Sequence, residues 1–253
     1  MTIKFVTLNL WLGGILMDEI IEFLQQQDAD IVIFQEAYNG TDSSLKPQFR
    51  SMQVLNEALG YEFSDFSAAY RDFDIAEGKA QRGNGVLTRF PITQADTIFL
   101  HGVYSEDYRD VPGNYQNCPR NLQHVTLDTP SGELNVFNIQ GVWDLDGDSY
   151  SEQRRQMTER TLEAIVGKPN VILAGDTNAT SGNQAIHEIE KRMDNIFGRE
   201  LVTTFNMKHK DRPGYATAVV DCIFVDRHIK VVEKQCHDND VSDHLSLSAV
   251  LEI

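Results

Sequence analysis

Several short apolar runs in this chain stop on residues that can bind cations or move protons. Asn9 lies within KFVTLNL (residues 4–10), Glu36 follows DIVIFQ, and Asp176 and Asn178 follow NVILAG. Asp221 opens DCIFV, and Asp243-His244 stands just before LSLSAVL. Each has an ordinary structural use: Glu36 as a solvated strand end, Asp176-Thr177-Asn178 as an Asx turn, Asp221 as a strand-initiating acid, His244 as a satisfied core histidine. Each also has a chemical use. A glutamate is a hard oxygen ligand suited to Mg²⁺, which takes one or two carboxylates and keeps several waters. An aspartate that orients water, beside an asparagine that donates to a phosphoryl oxygen, suits hydrolysis. Asp221 can hold and polarise His244 as a carboxylate does for a catalytic imidazole. Singly, the structural uses weigh at least as much. Taken jointly, in this order, the residues point to one site.

The elements that must position them follow from periodicity. Residues 4–10 alternate as a strand, with Phe5, Thr7 and Asn9 on one face and Val6, Leu8 and Leu10 on the other. Residues 15–27 carry a helical stripe, 29–34 read as a strand buried on both faces, and 48–59 as a helix stopped by Gly60. Further strands are expected at 85–89, 93–100, 122–128, 133–139, 170–174, 219–225, 229–235 and 245–251, and helices at 151–166 and 184–196. Residues 71–82 and 104–119 read as long polar loops, the usual material of functional rims. Helices fall between strands in both halves, while many strands lack a following helix. That pattern predicts an α/β (α+β) fold in which two mixed sheets pack face to face with helices outside, a four-layer sandwich. Strand ends on a shared edge are rigid platforms for groups distant in sequence.

Bulk properties bound the function. With 253 residues, 41% hydrophobic, and with no repeat, low-complexity tract or Pro/Ser-rich linker, the chain reads as a single domain over 1–253. It carries 38 acids against 22 Lys and Arg, a net charge of −16. Such a surface repels nucleic-acid backbones at long range and disfavours a general DNA-coating role, although a divalent cation can invert the field at one site. Cys118, Cys222 and Cys236 are odd in number and widely spaced, which fits neither a zinc motif nor a disulfide framework. No signal-peptide pattern and no long apolar run is visible, so the expectation is a cytoplasmic, monomeric protein without a membrane span; a mature secreted form would read the same way.

The motifs TLN (7–9), QE (35–36), GDTN (175–178), the Asp221-Cys-Ile-Phe strand and SDH (242–244) resemble the endonuclease/exonuclease/phosphatase superfamily, and RGNGVLTRFPI (82–92) is similar to its second-sheet entry strand. The resemblance runs from residue 5 to the C-terminus, and the fold it implies is the same four-layer sandwich. It implies Glu36 as principal ligand of Mg²⁺ (or Mn²⁺), with Asn9 and Asp243 nearby. By the same resemblance, Asp176 orients or deprotonates the attacking water, Asn178 and His244 bind the scissile phosphate, and Asp221 pairs with His244. Arg120 resembles an Arg that approaches the site in related sequences, its alternative being a surface cation. Asn84 either faces the substrate or shapes a turn.

One departure concerns NIQGVW, where Gln140 stands at the place of a His common in the family. Gln donates hydrogen bonds but cannot act as an acid near neutral pH. The expectation is a metal-dependent phosphoesterase, with a nuclease or phosphodiesterase acting on a nucleic-acid end put first. A phosphatase of a small metabolite or lipid headgroup, or a weakly active phospholigand-binding module, stands as the alternative. Trp11 and Trp143 follow site strands and are read as core, with stacking on a base the secondary use.

Overall fold

The computed structural model describes residues 1–144 and 147–253. Among these are twelve strands: β1 (Thr2–Asn9), β2 (Ile31–Tyr38), β3 (Phe63–Asp72), β4 (Ala80–Thr88), β5 (Ile92–His101), β6 (Arg120–Thr129), β7 (Gly132–Gln140), β8 (Val171–Asp176), β9 (Asp194–Asn195), β10 (Asp221–Val225), β11 (Lys230–His237) and β12 (Ser246–Glu252). The α-helices are α1 (Trp11–Gly14), α2 (Met17–Gln27), α3 (Ser51–Leu59), α4 (Glu152–Ile165) and α5 (Gln184–Glu190). One six-stranded sheet has the order β11-β12-β1-β2-β4-β3 and the other β5-β6-β7-β8-β10-β9. Each has one parallel pair at its centre, β1 with β2 and β7 with β8.

Side-chain alternation sorts these strands into layers. Ile3 and Phe5 of β1 join Ile31, Ile33, Val125, Val136, Ile172 and Ile223 between the sheets. Val6 and Leu8 point the other way, under Ile20, Phe23 and Leu24 of α2 and Leu55 of α3. On the second sheet Phe137, Ile139, Leu173 and Phe224 are covered by Met157 and Ile165 of α4 and Ala185, Ile186 and Ile189 of α5. Three apolar layers between four layers of structure make the expected α/β sandwich.

Towards the ends of β2 and β7 the layer between the sheets turns polar. Asn138 donates through Nδ2 to Phe34 O (2.9 Å), Gly85 O (3.0 Å) and Gln123 Oε1 (3.1 Å), and its Oδ1 accepts from Gln35 Nε2 at 2.7 Å. Asn84 donates to Asn121 O and Asn138 O, and Asn121 to Ser67 O. Gln35, Asn84, Asn121, Gln123 and Asn138 are all buried. These amides lock β2 against β7 immediately beside Glu36 and Gln140.

Most expected elements are present, with several differences: β4 begins at Ala80, so the loop expected over 71–82 holds only residues 73–79, and β4 with its RGNGV belongs to the first sheet, β5 opening the second. β3 was not anticipated: FSDFSAAYRD lacks a clean period of two, because an edge strand buries its faces unevenly. β2 does not stop at Phe34 but continues to Tyr38 through a bulge, where Glu36 takes a left-handed φ of 58°. The helix expected over 184–196 ends at Glu190; the periodicity persisted because Met193 packs under the helices while Ile196 enters the layer between the sheets.

Candidate active site

Strand register assembles the floor of the cleft. Gln140 of β7 and Asp221 of β10 both pair with Asp176, the last residue of β8, so three predicted site residues stand in one row across the second sheet. In the first sheet Asn9 pairs with Gln35, next to Glu36. Asn9 crosses the gap: its Nδ2 donates to Asp176 Oδ2 at 3.1 Å and lies 3.4 Å from Glu36 Oε1. Gln140 Nε2 donates to the same Glu36 oxygen at 3.3 Å. Gly141, just beyond β7, packs so closely on Thr177 that a Cβ there would meet its carbonyl oxygen at 2.0 Å. That approach lets Asn178 Nδ2 donate to Gly141 O at 3.1 Å, while Asn178 N closes the Asx turn onto Asp176 Oδ1 at 2.9 Å.

Left-handed backbone concentrates here. Of the seven non-glycine residues with positive φ among the described residues, Trp11, Leu12, Glu36 and Asn178 line the cleft. Such conformations cost free energy and persist where surrounding contacts impose them. Here they aim side chains that a regular strand would turn elsewhere.

Charge is arranged in pairs. Glu36 Oε2 lies 2.6 Å from the Arg82 guanidinium and accepts from Leu12 N at 3.0 Å. Burial pushes the Glu36 pKa up, but Arg82 and that amide outweigh it and hold it down at about 2. His244 Nδ1 is 2.9 Å from Asp221 Oδ2, both buried. Burial alone would favour neutral imidazole; Asp221 reverses this and raises His244 to about 10, so it is a cation at neutral pH. Asp176 goes the other way, pushed up to about 6 by burial, with Asp221 adding and His244 opposing. One fixed carboxylate, one carboxylate near its titration point and one imidazolium thus share a floor.

Above them lies a cleft of about 590 Å³, lined among others by Glu36, Asp176, Asn178, Asp243 and His244. Asp243 is held by Lys210 Nζ at 2.6 Å, and Lys210 passes beside the rings of Phe205 and Tyr215. Arg120 also lines the cleft, with its Nε buried and without a hydrogen-bond partner among the described residues. Asn84 is a correction: it is fully buried, its amide is spent on two main-chain carbonyls between the sheets, and it does not line the cleft. Trp143 is a second correction, since it stands 38% exposed at the rim rather than in the core. Sequence reasoning passed over Arg82 and Lys210. Arg82 opens the quoted motif RGNGV, and Lys210 sits in KHKDR, a local basic cluster in an acidic chain.

No group of three His, Cys, Asp or Glu side chains among the described residues is arranged to hold a metal ion. Mg²⁺ needs only one or two carboxylates, with waters completing its sphere. Among the described residues Glu36 Oε1 receives only the two long amide contacts at 3.3 and 3.4 Å, which leaves this carboxylate oxygen room for a cation. Asn9 turns its carbonyl to Trp11 N at 3.0 Å and its NH₂ to the two carboxylates, which makes it their spacer in this arrangement.

The fold has counterparts among solved structures. An endonuclease/exonuclease/phosphatase from Beutenbergia cavernae superposes with a TM-score of 0.78 at 17% identity, over 100% of this chain and 72% of that one. The mannosyl-6-phosphatase of Bacteroides thetaiotaomicron gives 0.71 at 18% identity, covering 99% of this chain and 100% of that one. The human Nocturnin catalytic domain with a bound sulfate anion gives 0.72 at 16% identity, covering 99% and 94%. At such identities these likenesses speak for the fold alone. No curated protein matches the chain significantly. The model of the Endonuclease/Exonuclease/phosphatase family matches residues 6–244, from β1 to His244 itself, and with that match the chain belongs to the family, whose members are hydrolases of phosphate esters and generally use divalent metals.

Proposed function

We propose that this protein hydrolyses a phosphodiester at an exposed nucleic-acid end by in-line attack of water, with one Mg²⁺ or Mn²⁺ bound through Glu36. The observation that carries the reading is the row Gln140–Asp176–Asp221, with His244 bonded to its last member. Asp176, near its titration point at neutral pH, accepts the proton of a water held between it and the phosphorus. Asn178 exchanges its 3.3 Å contact with Asp176 for a phosphoryl oxygen. The His244 imidazolium, fixed by Asp221, donates to another oxygen and stabilises charge that grows in the transition state. A divalent cation held by Glu36 would add polarisation of the phosphoryl group and of the leaving oxygen. Gln140 keeps Glu36 oriented and gives no proton to the leaving group.

A phosphomonoester substrate is the second reading, favoured by the modest cleft and the acidic surface. Hydrolysis of bis-p-nitrophenyl phosphate and p-nitrophenyl phosphate, with Mg²⁺, Mn²⁺ or EDTA, separates the two. The diester is expected to turn over with metal, stop with EDTA, and fall by about 10³-fold or more in Asp176→Asn. Faster turnover of the monoester would replace the diester reading. Full activity of Asp176→Asn would remove the proposed base. Metal-dependent binding without turnover, with large activity gained in Gln140→His, would make the protein a phospholigand-binding module.

A further inference from the structure

The chain has two tryptophans, and both line the cleft. Trp143 and Tyr115 are 38% and 40% exposed, a large aromatic surface for a protein to leave in water without a use. Their rings meet edge to face, with centroids 6.0 Å apart and planes at 89°. The other aromatics of the cleft are engaged: Phe205 and Tyr215 pack on each other, on Lys210 and, for Phe205, on His244, while Trp11 lies against His209. Tyr115 and Trp143 carry no cation among the described residues, so they form the neutral aromatic part of the wall.

Both rings are tied to the phosphate end of the cleft. Trp143 follows Gln140 and Gly141, whose backbone is bonded to Asp176 O at 2.7 Å, and Val142 between them is buried against the helical layer. Tyr115 begins the turn of residues 115–117 that leads through Cys118 and Pro119 to Arg120. A group that leans on these rings therefore shares one cleft with a phosphate facing Arg120 and His244. Four cations at the cleft (Arg82, Arg120, Lys210 and Arg212) stand against five acids (Glu36, Asp110, Asp176, Asp211 and Asp243), with His244 paired to Asp221, so an anion meets far less repulsion there than the −16 of the whole molecule implies.

We infer that Tyr115 and Trp143 form a stacking platform for a nucleobase next to the scissile phosphate. This rests on the phosphoesterase reading and narrows its substrate to nucleotide-bearing esters. An exposed, uncharged π-face holds a base by stacking, without a fixed set of hydrogen bonds.

Intrinsic fluorescence reads this directly, because any tryptophan signal comes from the cleft. Asp176→Asn protein in Mg²⁺ is titrated with AMP and with ribose 5-phosphate, alone and with Trp143→Ala or Tyr115→Ala added. AMP is expected to quench the emission and to bind about tenfold more tightly than ribose 5-phosphate. Trp143→Ala abolishes that preference and most of the quench while leaving ribose 5-phosphate affinity within about twofold; Tyr115→Ala shifts it in the same direction. Equal affinities in the parent, or a preference that survives Trp143→Ala, overturns the platform. If ribose 5-phosphate binds and the nitrophenyl esters are hydrolysed, that failure leaves the phosphoesterase reading standing. If neither happens, both fall together.

Discussion

At the scale of single residues, the site is a set of charges each given a partner. Asp221 and His244 form one unit, because the imidazole owes its charge to the carboxylate. His244→Ala and Asp221→Ala are each expected to lower kcat/KM by about 10²-fold, and the double variant by little more, since removing either partner already disables the pair. Effects that multiply across the two would show that they act separately. Arg82 has a structural task of the same kind. It binds Glu36 at 2.6 Å, Asp110 at 3.0 Å and the Tyr70 hydroxyl at 2.9 Å while almost completely buried. Arg82→Ala leaves the half-buried Glu36 and Asp110 without their cation and is expected to cost about 2 kcal/mol of stability in urea denaturation. A loss below about 0.5 kcal/mol would mean that water or a cation takes its place.

At the scale of elements, the site depends on how two sheets are held in register. Asn138 reaches Phe34, Gly85 and Gln35 across the gap and Gln123 within its own sheet, and Gln35 and Asn138 lie one and two residues from Glu36 and Gln140. Asn138→Leu keeps the volume but strands buried carbonyls and a buried amide, so a loss of about 2–4 kcal/mol is expected, read as a lower urea midpoint. Activity of the remaining folded protein is expected to fall as well, because Glu36 and Asp176 belong to different sheets. An unchanged midpoint would show that the polar layer does not hold the sheets together. This layer was hidden in the sequence. Asn84, Asn121 and Asn138 look like surface or substrate residues there, because nothing local tells an amide which carbonyls it will meet.

At the scale of the whole molecule, a charge of −16 surrounds a cleft that is close to neutral. A long polynucleotide gains little from such a surface, since no array of cations releases its counterions. On the diester reading, kcat/KM is expected to be about the same for a tetranucleotide and a forty-residue oligonucleotide, with little dependence on salt. Activity that rises steeply with length and falls steeply with salt would reveal a basic track outside the cleft.

Much of this was legible in the order of residues. Asn9, Glu36, Asp176, Asn178, Asp221, Asp243 and His244 could be singled out because each interrupts or borders an apolar run. Those runs are set by local periodicity, and periodicity survives in one dimension. The layer assignment of β1 followed in the same way, Phe5 to one side and Val6 and Leu8 to the other. What only the tertiary structure decided are the relations that depend on distance between segments far apart in sequence. Gln140, Asp176 and Asp221 fall in one row because of strand register, and Arg82 and Lys210 matter because of the acids they happen to meet. Asn84 turned inward and Trp143 outward because burial is a property of the packed sheets, not of the residue type. A sequence specifies which groups can do chemistry through their intrinsic pKa and polarity; packing decides which of them share a low-dielectric space, and so which of them do.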